Sequence, residues 1–138
     1  MIEKVEWLEL GGKKHPLVFT LGAMKIAYEK YGDIKGLFKA LTTEHTVLDT
    51  AIDMILVLNR QGCAYLNMFG KDAEYPDDVE IVDGQFVPIE REMLELMLTF
   101  DDGPELTKRI DGAFVKSQKK KIEGKSTKKT RAVSSRTT

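Results

Sequence analysis

Cysteine is nearly absent from this 138-residue chain: Cys63 stands alone, which excludes an internal disulfide and a metal site built from cysteines. Histidine is almost as scarce. His15 and His45 fall in separate segments, without the histidine–carboxylate spacing of a metal motif, and both read as solvated polar residues. Cys63 has no base marked beside it and reads as a half-buried structural cysteine. No apolar run approaches the roughly 18 residues that span a bilayer. The opening MIEKVEWLEL lacks the pattern of a secretory signal, so a soluble protein of a reducing cytoplasm is expected, with no membrane partner.

Other sites fail on spacing. Gly11-Gly12-Lys13-Lys14 lacks the Walker arrangement and suits a hairpin turn. Asp72, Glu74, Asp77 and Asp78 lack calcium-loop positions and the closing glutamate, and form a solvated acidic loop. Glu90 and Glu92 favour a helix start electrostatically. No catalytic, cofactor-binding or metal-ligating constellation emerges, and the expectation is a protein that is not an enzyme.

What is present is an uneven charge. Residues 116–138 carry nine basic residues and one acid, a net +8. The other 115 residues carry twelve basic and twenty-one acidic groups, a net −9. An acidic domain over 1–115 with a flexible basic tail over 116–138 is therefore expected. Lys119, Lys120, Lys121, Lys125, Lys128, Lys129 and Arg131 suit phosphate contacts. The tail has no aromatic residue to stack on bases, however, and the acidic domain repels nucleic acid. Acidic protein surfaces, including other copies of the same domain, are the alternative partner, and a merely solubilising terminus is the plainest reading.

Hydrophobic patterning places the elements of a mostly helical α+β fold. Val5–Leu10 and His15–Phe19 make a β-hairpin around the glycine turn, with Pro16 at an edge or strand start. Thr20 caps a helix with the stripe Leu21, Met24, Ala27, Tyr28 and Tyr31, stopped by Gly32. Asp33 opens a second helix. Thr46 caps a third, TVLDTAIDMILVL, which ends near Gly62 or continues to Phe69. Asp83-Gly84 turns a second hairpin over 79–87. A helix is expected from Pro88, with the stripe Met93, Leu94, Met97 and Leu98. Asp101-Asp102-Gly103-Pro104 is a break before a last helix that shows Leu106, Ile110, Ala113 and Phe114 on one side.

The central helix is apolar around most of its circumference. Leu48, Ala51, Ile52, Ile55 and Leu58 form one face, and Val47, Met54 and Val57 a second. Two readings follow. Both sides are core; or Val47, Met54, Val57 and Leu58, with Met93 and Met97, meet a partner or another copy of the chain.

The N-terminal pattern resembles the tail assembly chaperones of long-tailed phages with flexible tails. A hairpin of the form L…GGK leads there into a helix reading LGA…..E..YG and then a leucine-spaced helix. The matching residues are Leu10, Gly11, Gly12, Lys13, Leu17, Phe19, Leu21, Gly22, Ala23, Glu29, Tyr31, Gly32, Leu37 and Leu41. The resemblance covers most of 5–62 and, more loosely, 88–115. It departs over Cys63–Val87, where a shorter connection is expected, and at His15-Pro16. It implies a non-enzymatic protein of the infected bacterium's cytoplasm, absent from the mature virion. Such a protein coats the aggregation-prone tape measure protein, helps recruit tail tube subunits and works as an oligomer. A longer form made by ribosomal frameshifting is also common in that family. The second candidate, from a different class, is a small nucleic-acid-associated phage protein acting through its basic tail.

Overall fold

The computed structural model describes residues 3–70 and 72–126, the last eight of these in backbone only. The order is β1 (Glu6–Leu10), β2 (Lys13–Leu17), α1 (Leu21–Tyr31), α2 (Ile34–Thr42), α3 (Val47–Phe69), β3 (Ile81–Val82), β4 (Gln85–Phe86), α4 (Arg91–Met97), a 3-10 turn (Phe100–Asp102) and α5 (Gly103–Ser126). It is the expected mostly helical α+β fold, with two small hairpins.

Both hairpins turn on two residues with positive φ: Gly11 (58°) and Gly12 (78°), then Asp83 (53°) and Gly84 (78°). That pair of left-handed residues matches the twist of the flanking strands, and it makes the first turn tighter than the four residues expected from the sequence. Antiparallel register sets Leu8 opposite His15 and Trp7 opposite Pro16. Thr20 caps α1 by accepting from the Ala23 N–H at 3.1 Å, and Asp33 caps α2 by accepting from Gly36 at 2.7 Å. Gly32 closes α1 at φ 88°. Thr46 behaves differently: its hydroxyl donates back to the Ala40 carbonyl at 2.7 Å and leaves the start of α3 without a side-chain cap.

α3 is the axis, and it takes the longer of its two expected courses. Ala51, Met54, Ile55 and Leu58 lie in the main core with Leu8, Leu17, Leu37, Leu94, Leu106 and Ile110. Further along, Cys63 and Leu66 join Val5, Val18, Val79 and Phe86 in a second cluster beneath the hairpins. Gly62 permits the crossing: a Cβ there would stand 2.6 Å from the Pro16 carbonyl oxygen. Asparagines fasten the helix to its cover. Buried Asn59 donates to the Pro16 carbonyl (3.0 Å) and accepts from the Ile89 N–H (2.7 Å). Asn67 grips Phe86 in the same two-sided way, at 3.1 and 2.8 Å.

Several expected details change. α1 buries Ala23 and Ala27, small residues that let helices approach closely, while Leu21 (78% exposed) and Tyr28 (52%) face outward. α4 starts at Arg91, not Pro88, after Glu90 in extended backbone. The Asp101-Asp102-Gly103-Pro104 segment is no break: Thr99 and Asp102 form a capping box and the 3-10 turn runs directly into α5. α5 continues to Ser126, beyond the expected start of the tail at 116. Lys116 itself is docked, donating to the Val5 carbonyl at 3.0 Å and pairing with Glu6 at 2.9 Å. Glu6, nearly buried, also receives Arg109 at 2.8 Å. His15 is buried rather than solvated, because its strand position turns it inward with Leu8.

Candidate functional site

The exposed apolar surface around α4 is built by a short helix that buries only part of its stripe. Leu94 is fully buried and Leu98 packs partly against the core. Asp53 of α3 receives Arg91 from α4 and Lys30 from α1 (3.2 Å), tying three helices together. Burial alone would raise the Asp53 carboxyl; the two cations outweigh it and hold the group below its ordinary value. With α4 so anchored, Met93 (50% exposed) and Leu96 (80%) project into solvent, Met97 is half-exposed with its side-chain end against Gly11 of the first hairpin, and Phe100 (88%) follows in the 3-10 turn. Half-buried Leu48 and Ile52 of α3 line the hollow between Leu98 and Phe100. On the other side of Phe100, Val47 borders a second hollow with Leu41 and Pro104.

This shelf is rimmed by carboxylates. Residues 90–105 hold six acids against the one cation Arg91, a net −5. Met93, Leu96 and Met97 are neighbours at three- and four-residue spacing on α4, and such a group marks a contact surface more than scattered single residues do. Methionine and aromatic side chains adapt to a partner's shape while contributing large apolar area.

The residues singled out from the sequence divide. Met93 and Met97 lie on the shelf and Val47 at its margin. Met54 and Leu58 are fully buried and Val57 nearly so, enclosed by the first hairpin and the surrounding helices. For these three the core reading holds, and they offer no surface to a partner in this conformation. Leu96 and Phe100 were missed. Leu96 lies off the stripe that defines the buried side of α4, and Phe100 belongs to the segment read as a break; the signal was a large apolar residue at each position with no core face to join. The side chains of Lys119, Lys120, Lys121 and Lys125, and all of Lys128, Lys129 and Arg131, lie outside the described residues.

Chemistry elsewhere is muted. Burial pushes the Cys63 thiol up to about 12, so it stays protonated and unreactive at neutral pH; a weak Asn59 contact opposes this only slightly. Burial also lowers His15, against the opposing pull of the Glu80 carboxylate. Among the described residues, no group of three or more His, Cys, Asp or Glu side chains is placed to hold a metal ion. No helix among them is long and apolar enough to cross a membrane.

Comparison with models of known families, with curated proteins and with solved structures finds no match for this chain.

Proposed function

We propose that this chain is a phage tail assembly chaperone. It binds and solubilises the tape measure protein, helps recruit tail tube subunits during assembly, and catalyses no reaction. The observation that carries this reading is the α4 shelf, where Met93, Leu96 and Met97 stand exposed or half-exposed on a helix fixed to the core from its other side, and Phe100 is exposed in the 3-10 turn that follows. An extended helical client presents long apolar stripes that aggregate unless covered, and such a shelf covers one helical face. The motif resemblance over residues 5–62 supplies the identity of the client, and oligomerisation would supply many shelves along its length. The protein acts in the cytoplasm of the bacterial host and is left out of the finished virion.

Nucleic acid is the weaker candidate partner, because the net −5 of residues 90–105 repels phosphate from this face. Co-expression with the tape measure protein of the same phage tests the proposal. The client is expected in the soluble fraction, co-eluting with several copies of this chain; a client that precipitates while this chain elutes alone contradicts it.

A further inference from the structure

From α1 across α3 to α4 the charges alternate. Lys30 pairs with Asp53 at 3.2 Å, Asp53 with Arg91, and Arg91 with Glu95 at 3.7 Å. The next place in that series is unfilled. Asp49, one helical turn before Asp53, lines the same hollow as Glu95, and no lysine or arginine lines it with them. Among the described residues Asp49 makes no ion pair. The rest of that hollow is mainly apolar, with half-buried Leu48, Ile52 and Leu98 beside exposed Phe100. Beyond Phe100 the second hollow repeats the pattern: Leu41, Val47 and Pro104 line it, and Glu44 is its one charged residue. The shelf is thus an apolar floor edged by carboxylates, in contrast to the α1 strip, where Lys25 is balanced by Glu29.

We infer that the shelf takes a helix of another protein that sets a lysine or arginine beside its apolar stripe, the cation lying between Asp49 and Glu95. Two carboxylates bordering one hollow repel each other, and a cation between them turns that repulsion into attraction. An apolar side chain three or four residues from the cation then enters the hollow against Phe100. The same rim disfavours a helix with acids beside its stripe by like-charge contact. Segments of this chain fit less well. The exposed apolar face of α1, with Leu21 and Tyr28, has no net charge in its lining. Residues 127–138 carry four cations, but Ala132 and Val133 are their only apolar residues and would leave the floor uncovered. The inference rests on the reading of the α4 shelf as the client-binding face, and adds the chemistry of what that face accepts.

The test uses the full chain and two synthetic helical peptides of about 18 residues that share one leucine stripe, flanked by lysine in one and by glutamine in the other. Fluorescence anisotropy at low salt should show the lysine peptide binding about fivefold more tightly or better. Asp49→Asn/Glu95→Gln should reduce it to the affinity of the glutamine peptide. Asp72→Asn/Asp77→Asn, which removes the same charge from the loop before β3, should leave the preference in place. Leu96→Ser/Phe100→Ser should weaken both peptides by about tenfold or more. All six positions are exposed, so circular dichroism should be unchanged. Equal affinity for the two peptides overturns the inference. So does a lysine preference that the loop variant removes as readily as the rim variant, which would reduce it to the overall charge of the domain. If both peptides bind equally and only Leu96→Ser/Phe100→Ser weakens them, the shelf reading stands and the cation falls. If neither binds, or the shelf variant changes nothing, both fall. Light scattering on the free protein closes the remaining route: oligomers that Asp49→Asn/Glu95→Gln dissolves would make a second copy the occupant and overturn the inference.

Discussion

Replacing Asn59 with leucine tests how α3 organises the chain. The side chain is fully buried and makes two hydrogen bonds to elements far away in sequence: its amide donates to the Pro16 carbonyl at 3.0 Å and its oxygen accepts from the Ile89 N–H at 2.7 Å. Leucine keeps approximately the volume and removes both bonds. Each buried backbone group left without a partner costs about 1–3 kcal/mol. Leucine's greater apolar character offsets about 1–2 kcal/mol of the total. The net loss should be about 1–4 kcal/mol, with the melting temperature lower by roughly 5–15 °C for a domain of this size. Urea denaturation followed by circular dichroism measures it, and a shift in midpoint at unchanged slope assigns it to stability. Hydrogen exchange adds location: the Ile89 amide should lose protection first. A loss under about 0.5 kcal/mol, in the range of ordinary surface substitutions, would refute the claim that Asn59 fastens the first hairpin and the 87–90 segment to α3.

Acidification supplies a second prediction. Burial places the folded-state value of His15 below its unfolded one, so the unfolded chain takes up the proton first. The stability His15 preserves is complete above the unfolded value of about 6.5 and is lost as pH falls through the folded value. Urea midpoints should drop between pH 7.5 and 5.5, and His15→Leu should flatten that slope; parallel slopes would remove His15 from the account. Glu6→Gln keeps the shape of the cluster with Arg109 and Lys116 but leaves two cations facing a neutral amide. It should cost about 1–3 kcal/mol in urea and become less costly at high salt. An unchanged midpoint would make that cluster a surface ornament. Leu96→Ser/Phe100→Ser should alter stability by no more than about 0.5 kcal/mol per site, because both side chains stand in water. A larger loss in thermal melts would mean that these residues belong to the core.

Local chemistry was legible in the sequence. Gly11-Gly12, Asp83-Gly84, Thr20, Asp33 and Gly32 each meet a backbone demand that neighbouring residues alone impose, and each sits where its residue type predicts. Choices made by packing were less legible. On α1 the close approach to the core falls to Ala23 and Ala27, with Met24, Ile26 and Tyr31 partly buried beside them, while Leu21 and Tyr28 of the expected stripe stay outside. His15 looks like a polar strand residue until the hairpin is laid on the core. The bonds of Asn59 and Asn67 span 19 to 43 residues, beyond the reach of any periodicity. At the shelf, Met93 and Met97 were visible as adaptable residues on an amphipathic helix. Leu96 and Phe100 were hidden because exposure of an apolar side chain is decided by what fails to cover it.

The central claim is that the α4 shelf, and not the apolar circumference of α3, meets the client. Met93→Glu/Phe100→Glu in the full chain, co-expressed with the tape measure protein and analysed by size exclusion with light scattering, addresses it most directly. The variant should fold with a native circular dichroism spectrum and elute alone while the client precipitates. Met54→Glu, carrying the same charge into the core, should fail to fold. A folded Met93→Glu/Phe100→Glu protein that still co-elutes with soluble client would contradict the account.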